Sequence, residues 1–188
     1  DEQDQNYINQ VNKNKSGGIA KVSFDVTSVT KNNIPEPYHL RGISNGQAIY
    51  VGEEHVMLSH GDYDYKIKYE TDGQLGFFDE HDELYWNVNG NDWEMSFDSI
   101  ACVVHLPQEA PIKSYTAYSG RQGEKGKDFV TKVIDKHTIV FSSTKRYFGG
   151  EGLTIVVGWP KGFVEEPSFL SQIWKEYNVY IFVVLGLI

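Results

Sequence analysis

Residues 75–97, LGFFDEHDELYWNVNGNDWEMSF, decide how this chain is read. The stretch holds two of the four tryptophans, Trp86 and Trp93, together with Phe77, Phe78, Tyr85 and Phe97. Aromatic side chains bury large areas, so both tryptophans are expected in a core. Five consecutive acids or histidine, Asp79, Glu80, His81, Asp82 and Glu83, sit among them and must reach water or find partners. Asn89-Gly90-Asn91 reads as a turn between two strands, Leu84–Val88 and Trp93–Phe97.

Outward from this stretch the same period of two recurs. Tyr63, Tyr65, Ile67 and Tyr69 alternate with Asp64, Lys66, Lys68 and Glu70, one face aromatic and one charged. Ala20, Val22, Phe24 and Val26 alternate with Lys21, Ser23, Asp25 and Thr27. Further strands are expected at Tyr38–Arg41, Gln47–Val51, Ser99–Leu106, Tyr115–Tyr118, Phe129–Ile134, Thr138–Phe141 and Leu153–Val157. Short strands with turns every eight to twelve residues predict a mainly β chain, an antiparallel β-sandwich. Helix is expected only near the C-terminus.

Composition supports a folded domain with a core. The chain has 188 residues, 40% hydrophobic and 14% aromatic. Its net charge of −9 argues against nucleic acid, which needs basic patches, and against docking on anionic lipid. The single cysteine, Cys102, lies in the apolar run Ile100–Val104 and reads as a small buried hydrophobe. Residues 120–127, GRQGEKGK, form an exposed loop without the Gly-Lys-Ser/Thr spacing of a phosphate-binding loop.

The ends differ from the middle. Residues 1–18 are polar and aperiodic, a flexible tail or loop. With neither an initiator methionine nor a signal peptide at the start, the chain reads as a fragment or a processed product. Residues 19–165 form the predicted β-sandwich domain. Residues 166–188 read as a juxtamembrane segment and the start of a transmembrane helix. Within them Phe169–Tyr177 has helical spacing. Val179–Ile188 is an uncharged apolar run preceded by Trp174, Tyr177 and Tyr180, as in an interfacial aromatic belt. A buried final strand is the competing reading of the same run.

The central residues carry a resemblance. Residues 82–93, DELYWNVNGNDW, are similar to the DELYWNVTGNxW signature of the DUF2207 family of predicted bacterial membrane proteins. Residues 35–39, 44–46, 63–69 and 75–78, the Val103–Pro107 strand end and Gly152–Gly162 agree with it too, so the resemblance covers about residues 20–165. It departs at Asn89, where the family has threonine, and in the opening strands expected before residue 19. The resemblance implies an exported, mostly β N-terminal domain followed by membrane helices, and it brings no established activity.

Candidate chemistry is sparse. The binding residues singled out are Asp79, Glu80, His81, Asp82, Glu83, Trp86 and Trp93. Neighbouring strand residues point to opposite faces, so the five cannot all converge on one ion, and no metal site, cofactor or catalytic residue is assigned. No HExxH or G-x-S-x-G motif is present. The leading expectation is a non-catalytic extracytoplasmic domain of a bacterial membrane protein, held by its C-terminal helix and facing a protein or envelope partner. The alternative is a cell-envelope carbohydrate-binding or glycoside-hydrolysing module using the acidic-aromatic segment 77–94, which would need a pocket with two carboxylates among tryptophan rings.

Overall fold

A computed structural model of the chain describes residues 23–43 and 46–167. They are mainly β, in antiparallel sheets, with one 3-10 turn at Pro107–Glu109. They fall into two compact units, one ending at Gly73 and one beginning at Gln74. The polar N-terminal tail, the residues expected to open the first strand, the Phe169–Tyr177 helix and the Val179–Ile188 run lie outside the described residues.

In the first unit, β1 (Phe24–Lys31) lies between β2 (Ile34–Pro35) and β5 (Tyr65–Thr71). Asn32 and Asn33, both at positive φ, close the β1–β2 hairpin, because a two-residue turn of this hand needs left-handed backbone at both positions. Pro35 is tolerated because β2 is a two-residue edge strand. The β1–β5 register skips Thr27, and this bulge shifts the alternation so that Val29 is the buried residue of β1. β3 (Tyr38–Ile43) and β4 (Gly46–Val51) form a separate hairpin. The aromatic face of β5 is not buried: Tyr65, Ile67 and Tyr69 are each 40% exposed, and Tyr69 stacks on Phe24 at 4.7 Å.

The second unit has two sheets. Four strands run in the order β6 (Leu75–Phe77), β7 (His81–Asn87), β12 (Gly152–Pro160), β9 (Ser114–Gly120). Three run in the order β10 (Phe129–Val133), β11 (Thr138–Ser143), β8 (Ala101–His105). One hydrophobic cluster draws on both. β12 gives it Leu153, Ile155, Val157 and Trp159; β11 gives Ile139 and Phe141; Ala117, Val104 and Tyr147 complete its centre. β12 can supply so much because it is a central strand whose inward side chains are all apolar.

The expected second half of the organising hairpin does not form a strand. Of Trp93–Phe97 only Phe97 makes a β contact, an isolated bridge to Tyr147. Trp93 is 51% exposed, so its expected burial is corrected. Its indole N–H is satisfied locally by the Asn89 carbonyl at 2.5 Å, and its ring edge meets Phe97. Trp159 is buried, and Trp86 is half-buried against the core.

Candidate functional site

The side of the four-stranded sheet that turns away from the core carries the site. Its composition follows from register. Across β7, β12 and β9 the residues directly opposite one another are Asn87–Thr154–Tyr118, then Tyr85–Val156–Thr116, then Glu83–Gly158–Ser114. Opposite residues share a face, so these nine form a grid with His81 beside Pro160 at its end. The turn Phe78–Glu80 and the loop Gly120–Lys125 add walls, and the resulting groove has a volume of about 1130 Å³.

Glycine 158 shapes the floor. A Cβ there would lie 2.6 Å from Ser114 Oγ and 3.4 Å from the His81 ring, so glycine lets these two side chains close over the strand at this point. Phe78 stacks on His81 at 4.8 Å with the rings nearly parallel.

One end of the groove is fixed by an asparagine cluster. Asn87 accepts from the Gly90 amide and donates to Asn91, which donates to the carbonyls of Gly120 and Gly150. Asn89 accepts from the Leu153 amide at 2.9 Å and donates to the Glu151 carbonyl. Gly90 takes φ +75, a conformation that a side chain would strain. The sequence Asn-x-Asn-Gly-Asn thus ties the end of β7 to the start of β12.

The electrostatics of the floor are set by burial. His81 Nε2 lies 3.7 Å from Glu83 Oε2. An exchange of charge between them would raise the imidazole and lower the carboxyl. Burial acts the other way on both and outweighs it. Burial, then the Lys113 ammonium, holds His81 below the usual histidine range, and burial pushes the Glu83 carboxyl up. Burial thus shifts both groups in the direction of their uncharged forms.

The seven singled-out residues separate. His81 and Glu83 line the groove floor, and Asp79 and Glu80 stand exposed on its rim. Asp82 points the opposite way and is fully buried, with Lys161 Nζ at 2.8 Å. Trp86 follows it toward the core, and Trp93 lies beyond the asparagine cluster. Among the described residues no three of His, Cys, Asp and Glu are placed to hold a metal ion. Cys102 is half-buried and burial pushes its thiol up, which suits a packing role. Tyr118, Thr116 and Thr154 escape a sequence reading, because only strand register brings them onto one face with Tyr85.

The comparisons place this architecture in a family. The chain is 25% identical over 154 residues to the uncharacterized protein YciQ of Escherichia coli (strain K12), which covers 81% of this chain and 24% of that protein. It thus spans about a quarter of the length of that relative. No solved structure matches. Among the described residues no helix is long and apolar enough to cross a membrane. The family model described as the N-terminal domain of the predicted membrane protein DUF2207 matches residues 3–159, so the chain belongs to the DUF2207 family.

Proposed function

We propose that this chain is a non-catalytic binding domain of a bacterial membrane protein, held on the extracytoplasmic side, with the groove on its four-stranded sheet as the binding surface. The second unit makes a β-sandwich in this reading, and the hydrophobic cluster shared by its two sheets supports it. Residues 166–188 lead into a membrane helix, supported by the uncharged run Val179–Ile188.

The observation that carries the reading is the split of the acidic run by strand alternation. Two-carboxylate hydrolysis needs a pair of acids facing one substrate. Here Glu83 is the acid on the groove floor, its neighbour Asp82 is buried on the other side against Lys161, and the groove's other acids, Asp79, Glu80 and Glu124, stand on the exposed rim and walls. What remains is a wide, mixed aromatic and polar surface, suited to holding a ligand.

Cysteine labelling in cells tests the location. A Gln122→Cys substitution in the full-length protein, with Cys102→Ala, puts a thiol on the exposed rim loop. Labelling by a membrane-impermeant maleimide in intact cells is expected. Labelling only after the membrane is opened would sink the extracytoplasmic assignment.

A further inference from the structure

We infer that the groove binds an uncharged oligosaccharide strand, laid across β7, β12 and β9 and held by the rings of Tyr85 and Tyr118. This deepens the binding-domain reading and rests on it.

The grid supplies the two kinds of contact that a sugar needs. Sugar rings present apolar C–H faces and a rim of hydroxyls. Tyr85 is 41% exposed on β7, and Tyr118 lies two strands away and one row along. Strand spacing and rise put their Cα atoms about 12 Å apart, room for rings set in succession along one strand of sugars. Around them stand Thr154, Thr116 and Ser114, which both donate and accept, and Glu83. In the row Glu83–Gly158–Ser114 the Ser114 hydroxyl closes over the glycine, so this row offers a carboxyl and a hydroxyl to a sugar hydroxyl.

Other ligand classes fit less well. Phosphate-bearing ligands and polyanions want cations, but the floor has none: His81 is held toward its neutral form, and Arg121 and Lys125 on the rim loop share the walls with Asp79, Glu80 and Glu124. A peptide that binds by strand addition needs free backbone groups. The floor strand β12 is hydrogen-bonded on both sides, to β7 and to β9, so its backbone is already used. A lipid tail would meet one aliphatic side chain in the grid, Val156.

The test is calorimetric titration of the 188-residue chain in detergent micelles with the hexamer of β-1,4-linked N-acetylglucosamine and with cellohexaose. A heparin hexasaccharide and a ten-residue extended peptide serve as charged and peptidic controls. Saturable binding of at least one neutral hexasaccharide is expected, weakened roughly tenfold by Tyr85→Ala and by Tyr118→Ala, with melting temperature checked for each. Trp93→Ala, outside the groove, is expected to leave the affinity unchanged. Absence of binding by a chain that still melts cooperatively overturns the inference, as does neutral-sugar binding indifferent to both tyrosine variants. Tyrosine-dependent binding of the peptide or of heparin in place of the neutral sugars overturns the ligand class but leaves the binding-domain reading standing. Failure of the location reading appears separately, in the maleimide labelling.

Discussion

Lys161 Nζ lies 2.8 Å from Asp82 Oδ1, tying the residue after β12 to the second residue of β7. The carboxylate is buried, while the ammonium remains a third exposed and rests 5.3 Å over the Phe77 ring. Removing one partner of a buried pair leaves an uncompensated charge. Lys161→Ala is therefore expected to destabilise the domain by about 3 kcal/mol, the low end for buried pairs because water can reach the vacated site. The double variant Asp82→Leu with Lys161→Met removes both charges and is expected to recover most of that loss. Urea unfolding midpoints of the three proteins decide it. A Lys161→Ala midpoint equal to the parent's would refute the pair's structural role.

The tryptophans are expected to rank by burial. Trp159→Ala empties a fully enclosed site and is expected to cost about 3–5 kcal/mol. Trp86→Ala, at a half-buried site packed on the same core, is expected to fall below it. Trp93→Ala loses one local hydrogen bond and an edge contact at an exposed position, about 1 kcal/mol. Thermal melting of the three variants should give that order. A Trp93→Ala loss matching that of Trp159→Ala would mean that the Trp93 ring is covered in solution.

That ranking shows where the sequence is legible and where it stops. β10, β11 and β12 follow from apolar runs and turn residues, because burial on one or both faces leaves a periodic trace. Trp93 misleads because aromatic content signals burial only when a strand partner exists, and Trp93–Phe97 has none beyond the Phe97–Tyr147 bridge. The Thr27 bulge misleads in another way: one inserted residue moves Val29 to the buried face, and no local pattern announces it. Half of the site was readable, since alternation alone puts His81, Glu83 and Tyr85 together on β7. Tyr118 and Thr154 join them only through the register with β12 and β9, a non-local fact.

Asn89 is expected to matter more than an exposed turn residue does. Its side chain accepts from the amide of Leu153, a residue with no exposed surface. Asn89→Ala strands that amide and is expected to cost about 1–3 kcal/mol. Asn89→Thr keeps an acceptor oxygen and is expected to recover part of the loss. Hydrogen exchange gives the sharper readout, with the Leu153 amide losing protection in the alanine variant before its β12 neighbours do. Unchanged protection at Leu153 would show that this hydrogen bond does not hold the end of β12.

The groove pair His81 and Glu83 should give the folded domain two opposed pH dependences. Burial raises the Glu83 carboxyl above its unfolded value of 4.5, so the folded state binds this proton more tightly. Its stabilising contribution is complete below about pH 4.5 and is lost as pH rises through the folded value. Glu83→Gln removes this dependence, so its melting temperature should gain on the parent's as pH rises from about 4 to 7. His81 runs the other way. Its folded value is depressed below 6.5 by burial and by Lys113, so its contribution is present above about pH 6.5 and is lost as pH falls toward the folded value. His81→Gln should therefore gain on the parent as pH falls from about 7 to 5. Melting curves of parent and both variants across that range separate the two effects by sign. If both signs were reversed, Glu83→Gln gaining as pH falls and His81→Gln gaining as pH rises, an ion pair rather than burial would govern the 3.7 Å contact.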